Sequence, residues 1–577
     1  MTKRASFNKK FVFLKPSLSL TELITYINAD KNNWFELGLV VDEKEVLLGV
    51  LDNLDIIKAM PKSIHKEIIV KDVMNSTPIK INHNLSPKEI IKKVKKQVNL
   101  RTNGIKDLTR FIPLVNEFSK VVDVVDIYEL IAEESIKNEN IEIYGLGFVG
   151  ITLAASLASV GHKVIGIDIN KDLIENLNKG EMHVLEPGLS DLTKAMIRIN
   201  RLSFSINPPS KHNSFYIVCV GTPVNNKGEA DLKDLIKVLK IISARMKKGD
   251  TVMLRSTVPV GTTREIAKNI LESKNDLLAG KDFHLAFTPE RTVEGNAVEE
   301  LRKLPQIVGG LTPNCQKIAT SFWQTLAKVV IPTNNLEAAE LVKLINNSFR
   351  DLTFAFSNAL ALTARNYNID ANELVYYANE GYPRNHIARP SPGVGGYCLT
   401  KDPLLYASTD KNSLHAKLSI LGRKINENIA NYPYSVFVEY LEKEGLKLYR
   451  LRILIIGIAF KGWPETNDIR GSTSLYLAQN LKNKCAQLKI YDAVVSEKQI
   501  ISLGLDYEDI YSLKTINFDA IFIMNNHPQN IKNNFINSLS KNRIFIFDGW
   551  NILEKSAVIG FENIRYCNLG FSSFKNQ

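Results

Sequence analysis

The chain has 577 residues, of which 45% are hydrophobic and 23% charged, an ordinary globular composition on a length that suits three or four domains. Its net charge of +12 favours anionic ligands such as nucleotides but does not by itself indicate nucleic acid. The five cysteines, Cys219, Cys315, Cys398, Cys485 and Cys567, form no CxxC pair, which excludes a disulfide framework and points to a reducing compartment. Met1-Thr2-Lys3-Arg4 is basic but no apolar signal-peptide core follows, so a soluble, cytoplasmic protein is expected. Residues 1–135 hold two similar halves. The first reads helix near Leu20–Asn28, strand Gly38–Asp42, strand Leu48–Asp52, then Asp55. The second reads helix near Pro87–Val98, strand Phe111–Val115, strand Val121–Val125, then Asp126. Lys92-Lys93-Val94-Lys95-Lys96 has no interleaved aromatics and reads as a solvated helix face, so no nucleic acid partner is expected.

This duplication resembles a pair of CBS modules, with the Gly-x-x-Thr signature degraded in both halves. The resemblance implies that Asp55 and Asp126 contact the ribose of an adenine nucleotide. It leaves regulation and scaffolding as equal alternatives. The polar run Glu133–Asn140 reads as a linker.

A different signal begins at Ile141. A β-like run enters Gly145-Leu146-Gly147-Phe148-Val149-Gly150, an apolar helical pattern follows, and a strand Lys163–Ile167 ends at Asp168. Strand, glycine turn, helix, strand and acid is the context of a dinucleotide-binding fingerprint. Gly145 makes the turn, Gly147 lets a pyrophosphate approach at Phe148 and Val149, and Gly150 permits close packing. Asp168 would accept from the ribose hydroxyls and repel a 2′-phosphate, which favours NAD. The uncharged run Ile143–Gly161 is long enough to suggest a membrane helix, but its glycines fit strand–turn–helix, and no membrane span is expected. Further strand-like runs are Ser214–Val220, Thr251–Arg255, His284–Phe287 and Val329–Ile331; residues 336–430 are helical. A second α/β unit starts at Leu451, with runs at Arg452–Gly457, Gln487–Asp492, Ala520–Ile523 and Ile544–Asp548.

In the helical stretch, Pro392-Gly393-Val394-Gly395-Gly396-Tyr397-Cys398-Leu399-Thr400-Lys401-Asp402 puts a thiol behind a glycine-rich turn. Such a thiol can attack an aldehyde or hold an acyl group, and a nearby lysine is expected to lower its pKa. Lys343 and Asn347, four apart, share a helix face.

Two Rossmann-like halves bridged by helices, with a cysteine between them, resemble the nucleotide-sugar dehydrogenase family. The motifs that carry it run from about 141 to 570: the glycine turn, Gly221-Thr222-Pro223, Ser256-Thr257, Thr288-Pro289-Glu290-Arg291, the Lys343/Asn347 pair, the cysteine loop and Phe460–Arg470. The fold expected is α/β, two Rossmann-like domains bridged by a helical segment and preceded by a CBS-like α+β pair. Expected boundaries are 1–135, 141–332, 333–435 and 450–577. The resemblance implies NAD-dependent four-electron oxidation of a sugar 6-hydroxymethyl to a carboxylate. Cys398 traps the aldehyde, Lys343 and Asn347 face the C6 oxygen, and Glu290 positions or deprotonates water. Asp402 activates water or orients a lysine, and Thr222 and Thr257 meet the cofactor. Arg384, Lys461 and Arg470 meet the sugar nucleotide, Arg384 within its own subunit or across an interface. No metal is assigned, and a homo-oligomer is expected. For the sugar, Pro289-Glu290-Arg291 resembles the UDP-N-acetylhexosamine branch. Tyr397, where that branch carries histidine, resembles the UDP-glucose branch, and Ala359 replaces a common glutamate. UDP-N-acetylmannosamine or UDP-N-acetylglucosamine is favoured, with UDP-glucose and an inactive nucleotide sensor as alternatives.

Overall fold

The computed structural model describes all residues except 1–10, 30–34, 36, 53–54, 57–67, 101–110, 127–138, 226–227, 275, 385, 532–533, 540 and 575–577. The chain forms two compact units, Met1–Asn138 with Ala158–His162, and Glu139–Leu157 with Lys163–Gln577.

The N-terminal unit is built twice over. Its first half contains β1 (Phe11–Leu14), α1 (Leu20–Ala29), β2 (Leu37–Val41) and β3 (Leu47–Leu51). Its second contains β4 (Ile81–Asn82), α2 (Pro87–Leu100), β5 (Phe111–Val115) and β6 (Val121–Asp126). In each, the middle strand pairs parallel with the first and antiparallel with the last, and the register slips at matching places, after Val40 and after Leu114. The turns repeat as well. Asp42 Oδ1 accepts from the N–H of Lys44 and Val46, and Asn116 Oδ1 from those of Phe118 and Lys120. A short polar side chain that bonds its own turn backbone fixes both hairpins. The halves share one core, Leu37, Leu39 and Val50 with Phe111, Val115 and Val121. On α2, Ile90 and Val94 are buried while Lys92, Lys93 and Lys96 are exposed, as expected of a solvated face. Asp55 starts a helical turn, and its carboxylate accepts from the Asp52 N–H at 3.2 Å. The side chain of Asp126, and residues 133–138 of the expected linker, lie outside the described residues.

Among the described residues of the larger unit, two sheets carry the architecture. The first strands are β7 (Asn140–Tyr144), β8 (Lys163–Ile167), β9 (Leu202–Ser205), β10 (Phe215–Val218), β11 (Thr251–Leu254), β12 (His284–Phe287), β13 (Gln306–Gly310) and β14 (Val330–Pro332). Their spatial order is β14-β13-β12-β11-β10-β7-β8-β9, parallel but for β12–β13. The second sheet holds β15 (Arg452–Ile456), β16 (Gln487–Tyr491), β17 (Asp506–Tyr507), β18 (Ala520–Ile523), β19 (Ile544–Asp548) and β20 (Ile564–Cys567) in the order β17-β16-β15-β18-β19-β20. Both contain the doubly wound order 3-2-1-4-5-6, whose direction reverses beside the first strand, the place where such sheets bind nucleotides.

The two sheets repeat a detail. Gly145 (φ +88°) donates its N–H to Ile167 O at 2.8 Å, and Gly457 (φ +90°) donates to Tyr491 O at 2.7 Å. Only glycine takes such a turn without strain. Between the sheets run α3 (Phe148–Ser159), still in the first, then α4 (Leu336–Asn366), α5 (Tyr397–Ala407) and α6 (Leu414–Asn428). The uncharged α3 is buried along most of its length, which explains its hydropathy. No helix among the described residues is long and apolar enough to cross a membrane.

Candidate active site

The glycine turn after β7 carries the cofactor-site geometry. A methyl group added at Gly150 would lie 1.8 Å from Gly145 O, so this helix–turn contact tolerates only hydrogen. At Gly147 an added methyl meets nothing within 4 Å, and the residue is exposed on the crest with Phe148 and Val149 half-buried behind it. The open crest therefore lies at the N-terminus of α3, where peptide N–H groups favour an anion. Asp168 at the end of β8 accepts from Leu146 N at 2.8 Å and Asn170 N at 3.0 Å. Its carboxylate thus faces the turn, where its negative charge suits a ribose hydroxyl better than a 2′-phosphate. These residues fit NAD. Asp168→Ala is expected to weaken NAD by roughly ten- to a hundredfold, the range for a lost charged hydrogen bond, measured by cofactor titration.

Thr222 behaves differently from the expectation. It is buried, and its hydroxyl donates to the Thr257 carbonyl. That bond ties the two loops together and commits the hydroxyl hydrogen to the protein. Ser256 reinforces the tie by donating to Val220 O at 2.7 Å.

A second group of residues gathers around Cys398, at the start of α5. Lys343 and Asn347 are buried on the inner face of α4. Asn347 Nδ2 donates to Asp402 Oδ2 at 2.6 Å, and Lys401 Nζ pairs with Asp402 Oδ1 at 2.8 Å. Asp402 is fully buried, so it holds an amide and a cation rather than capping a helix. Cys398 is exposed at the surface of the site, yet the protein packed around its sulfur desolvates the thiol and pushes it above its ordinary value; Lys343 and Lys401 pull it down, while Asp402 and Glu294 oppose them. The lysines lower the thiol as expected, but the net shift is upward. Lys401 is neutralised by its own neighbour, and desolvation wins over Lys343.

Glu290 is buried at the end of β12. Its Oε1 accepts from the N–H of Arg291 and Thr292, each at 2.7 Å, and its Oε2 from Arg255 Nε at 2.9 Å and Nη2 at 2.5 Å. Burial works to raise this carboxyl, but Arg255, the Thr292 N–H and Lys343 outweigh it and hold it below the ordinary carboxylate value. Arg255, which the sequence reading passed over, is fully buried and lies over the Trp323 ring at 4.5 Å. A lone arginine closing the apolar strand Thr251-Val252-Met253-Leu254 was the available signal.

Lys461 donates to the Glu294 carbonyl at 2.8 Å, and the Arg470 guanidinium lies 4.8 Å from the Tyr397 ring centroid while pairing with Asp468 at 2.6 Å. Lys401 Nζ also lies 5.3 Å from the Tyr397 centroid. Tyr397 thus joins the cysteine helix to the second sheet through a cation–π contact. Glu294, also unforeseen, is pushed above its ordinary value by burial and then by Asp468. Arg384 is not brought to this cluster; it is exposed and stacks over Tyr382 at 5.5 Å.

Comparison with known proteins covers both units. The NAD-binding domain of the UDP-glucose/GDP-mannose dehydrogenase family matches residues 139–327, its central domain 337–428 and its UDP-binding domain 454–555. A CBS domain matches residues 5–62. The chain is 32% identical over 421 residues to the UDP-N-acetyl-D-mannosamine dehydrogenase of Pyrococcus horikoshii, covering 72% of this chain and 97% of that one. It is 31% identical over 386 residues to the enzyme of the same name from Yersinia pestis, covering 65% and 89%. The solved structure of the Pyrococcus horikoshii UDP-D-ManNAc dehydrogenase superposes with a TM-score of 0.66 at 30% identity, covering 75% of this chain and 99% of that one.

Proposed function

The chain belongs to the UDP-glucose/GDP-mannose dehydrogenase family and is an NAD-dependent nucleotide-sugar dehydrogenase with an N-terminal CBS domain; from this we propose that it converts the C6 hydroxymethyl of a UDP-N-acetylhexosamine to the carboxylate through Cys398. UDP-N-acetylmannosamine is the favoured sugar, supported by the Pro289-Glu290-Arg291 form and by the named relatives. The observation that carries the chemistry is the convergence of Cys398 with Lys343, Asn347, Asp402 and Glu290.

NAD supplies the two-electron acceptor in each of two oxidations. Lys343 and the second N–H of Asn347 meet the C6 oxygen and stabilise negative charge there. The Cys398 sulfur bonds to the aldehyde carbon as the C=O π bond opens and the thiol proton passes to its oxygen, which keeps the half-oxidised sugar in the site. After the second oxidation the carbon is a thioester; water attacks it, the C–S bond breaks, and the thiol recovers its proton. Glu290, ionised and with both oxygens engaged, suits holding Lys343 and a water in place rather than taking a proton. Asp402 orients Asn347 and Lys401. Lys461 and Arg470 bind the sugar nucleotide, and Thr257 and the Gly145–Gly150 turn bind NAD. Thr222 keeps the two cofactor loops in register.

Assay of NADH release against a panel of UDP-sugars tests this. Two NADH per UDP-N-acetylmannosamine or UDP-N-acetylglucosamine is the expected result. Two per UDP-glucose only would move the substrate to the reading that the Tyr397-Cys398-Leu399 run favours, and one per sugar would remove Cys398 from the chemistry. We assign the N-terminal pair to an adenine nucleotide, with assembly alone as the alternative; the same assay with adenine nucleotides added reads which. A second copy of the chain is proposed to cover the exposed Phe349 and Phe356 of α4 and Leu414, Leu418 and Leu421 of α6. The scarcity of paired cysteines fits a cytoplasmic setting.

A further inference from the structure

Beneath the cysteine loop lies a polar network that the steps above do not use. Asp351 and Asn358 on α4, and Arg423 and Asn426 on α6, are all at most 2% exposed. Asp351 Oδ1 accepts from Arg423 Nη1 at 2.5 Å and from Asn426 Nδ2 at 2.8 Å. Asn426 Oδ1 in turn accepts from Asn358 Nδ2 at 2.8 Å. Three bonds of this network go to the backbone around Cys398. Arg423 donates to Val394 O at 3.2 Å and to Leu399 O at 2.8 Å, and Asn358 Oδ1 accepts from Ser391 N at 2.9 Å.

The loop so held has little rigidity of its own. Gly393 and Gly396 take φ of +124° and +85°, and three glycines in four positions leave the chain many alternatives. A core filled with apolar side chains is commonly as stable as one holding a buried ion pair, so a buried guanidinium–carboxylate pair is not explained by stability. What apolar residues cannot do is bond carbonyls on both sides of the thiol at once. A planar guanidinium, with donors in a fixed fork, can.

We infer that Asp351, Arg423, Asn358 and Asn426 are positioning residues that fix the Cys398 sulfur and the first turn of α5 against the sugar C6. The inference rests on the reading of Cys398 as the nucleophile. A misplacement of about 1 Å in such a geometry costs on the order of a hundredfold in rate.

Three variants test it. Arg423→Lys keeps the charge but cannot span both carbonyls. Asp351→Leu with Arg423→Met removes the pair without stranding a buried charge. Asn358→Ala cuts the Ser391 tether and the bond to Asn426 Oδ1 but keeps the ion pair, so it reports even where the others fold poorly. NAD titration counts folded sites. The expected result is a kcat down roughly tenfold to a hundredfold in the first two and less in the third, with KM for NAD and sugar within about twofold of wild type. The pH profile of iodoacetamide reaction at Cys398, followed by mass spectrometry of its peptide, is expected to shift. A normal kcat per folded site and an unshifted profile would overturn the inference, lower thermal stability notwithstanding. Activity retained in Cys398→Ser would instead remove the nucleophile reading beneath it.

Discussion

Cys398→Ser is expected to abolish formation of the uronate, by at least roughly a thousandfold, while leaving NAD affinity unchanged. The residue stands at the start of α5 among Lys343, Asp402 and Lys401, whereas the glycine turn and Asp168 belong to the first sheet. A hydroxyl at this position is far less nucleophilic than a thiol and leaves poorly from the acyl stage. Product analysis by mass spectrometry checks this alongside cofactor titration. Full uronate yield from the variant would refute the assigned role, and lost NAD binding would point to a folding defect.

Arg255→Ala is expected to destabilise the larger unit by about 3–5 kcal/mol, the range for breaking a fully buried ion pair. It strands Glu290, which is 5% exposed, and removes the guanidinium from the Trp323 face. The pH dependence follows from the depressed Glu290 carboxyl, whose ordinary value is 4.5. Such a group stabilises the fold above its unfolded value and loses that contribution as pH falls through the folded value. The gap between wild type and variant is therefore full at neutral pH and narrows in acid below about pH 4.5. Thermal unfolding of both proteins across that range measures it. A gap that stays constant would mean that Glu290 does not titrate with the pair. Activity falls too, since Glu290 without Arg255 is no longer fixed beside Lys343.

Local rules carried much of the fold. Gly145 and Gly150 follow from backbone geometry alone, since one needs a positive φ and the other has no room for a methyl. The strands His284–Phe287, Ala520–Ile523 and Ile544–Asp548 are apolar runs that only a buried parallel sheet accommodates, and they stand where the runs are. Among the strands left unread, β4 and β17 are only two residues long and β9, β13 and β20 carry glycine or polar residues, whereas β1, Phe11–Leu14, is an apolar run as long as those that were read. The duplicated N-terminal hairpins were legible as paired apolar runs, and the structure closes their turns through Asp42 and Asn116.

By itself the sequence determined which chemical groups the protein has and the turns that place some of them: a thiol on a glycine loop, an acid after a second strand, a lysine and an amide on one helix face. Which charges meet was decided by the tertiary structure. Glu290 finds Arg255 across 35 residues, and Asp351 finds Arg423 across 72. Those pairings set the protonation of Glu290 and the seating of Cys398. The reason is physical: backbone dihedrals respond to neighbours in the chain, whereas desolvation and Coulomb terms depend on distance through space, which folding alone assigns.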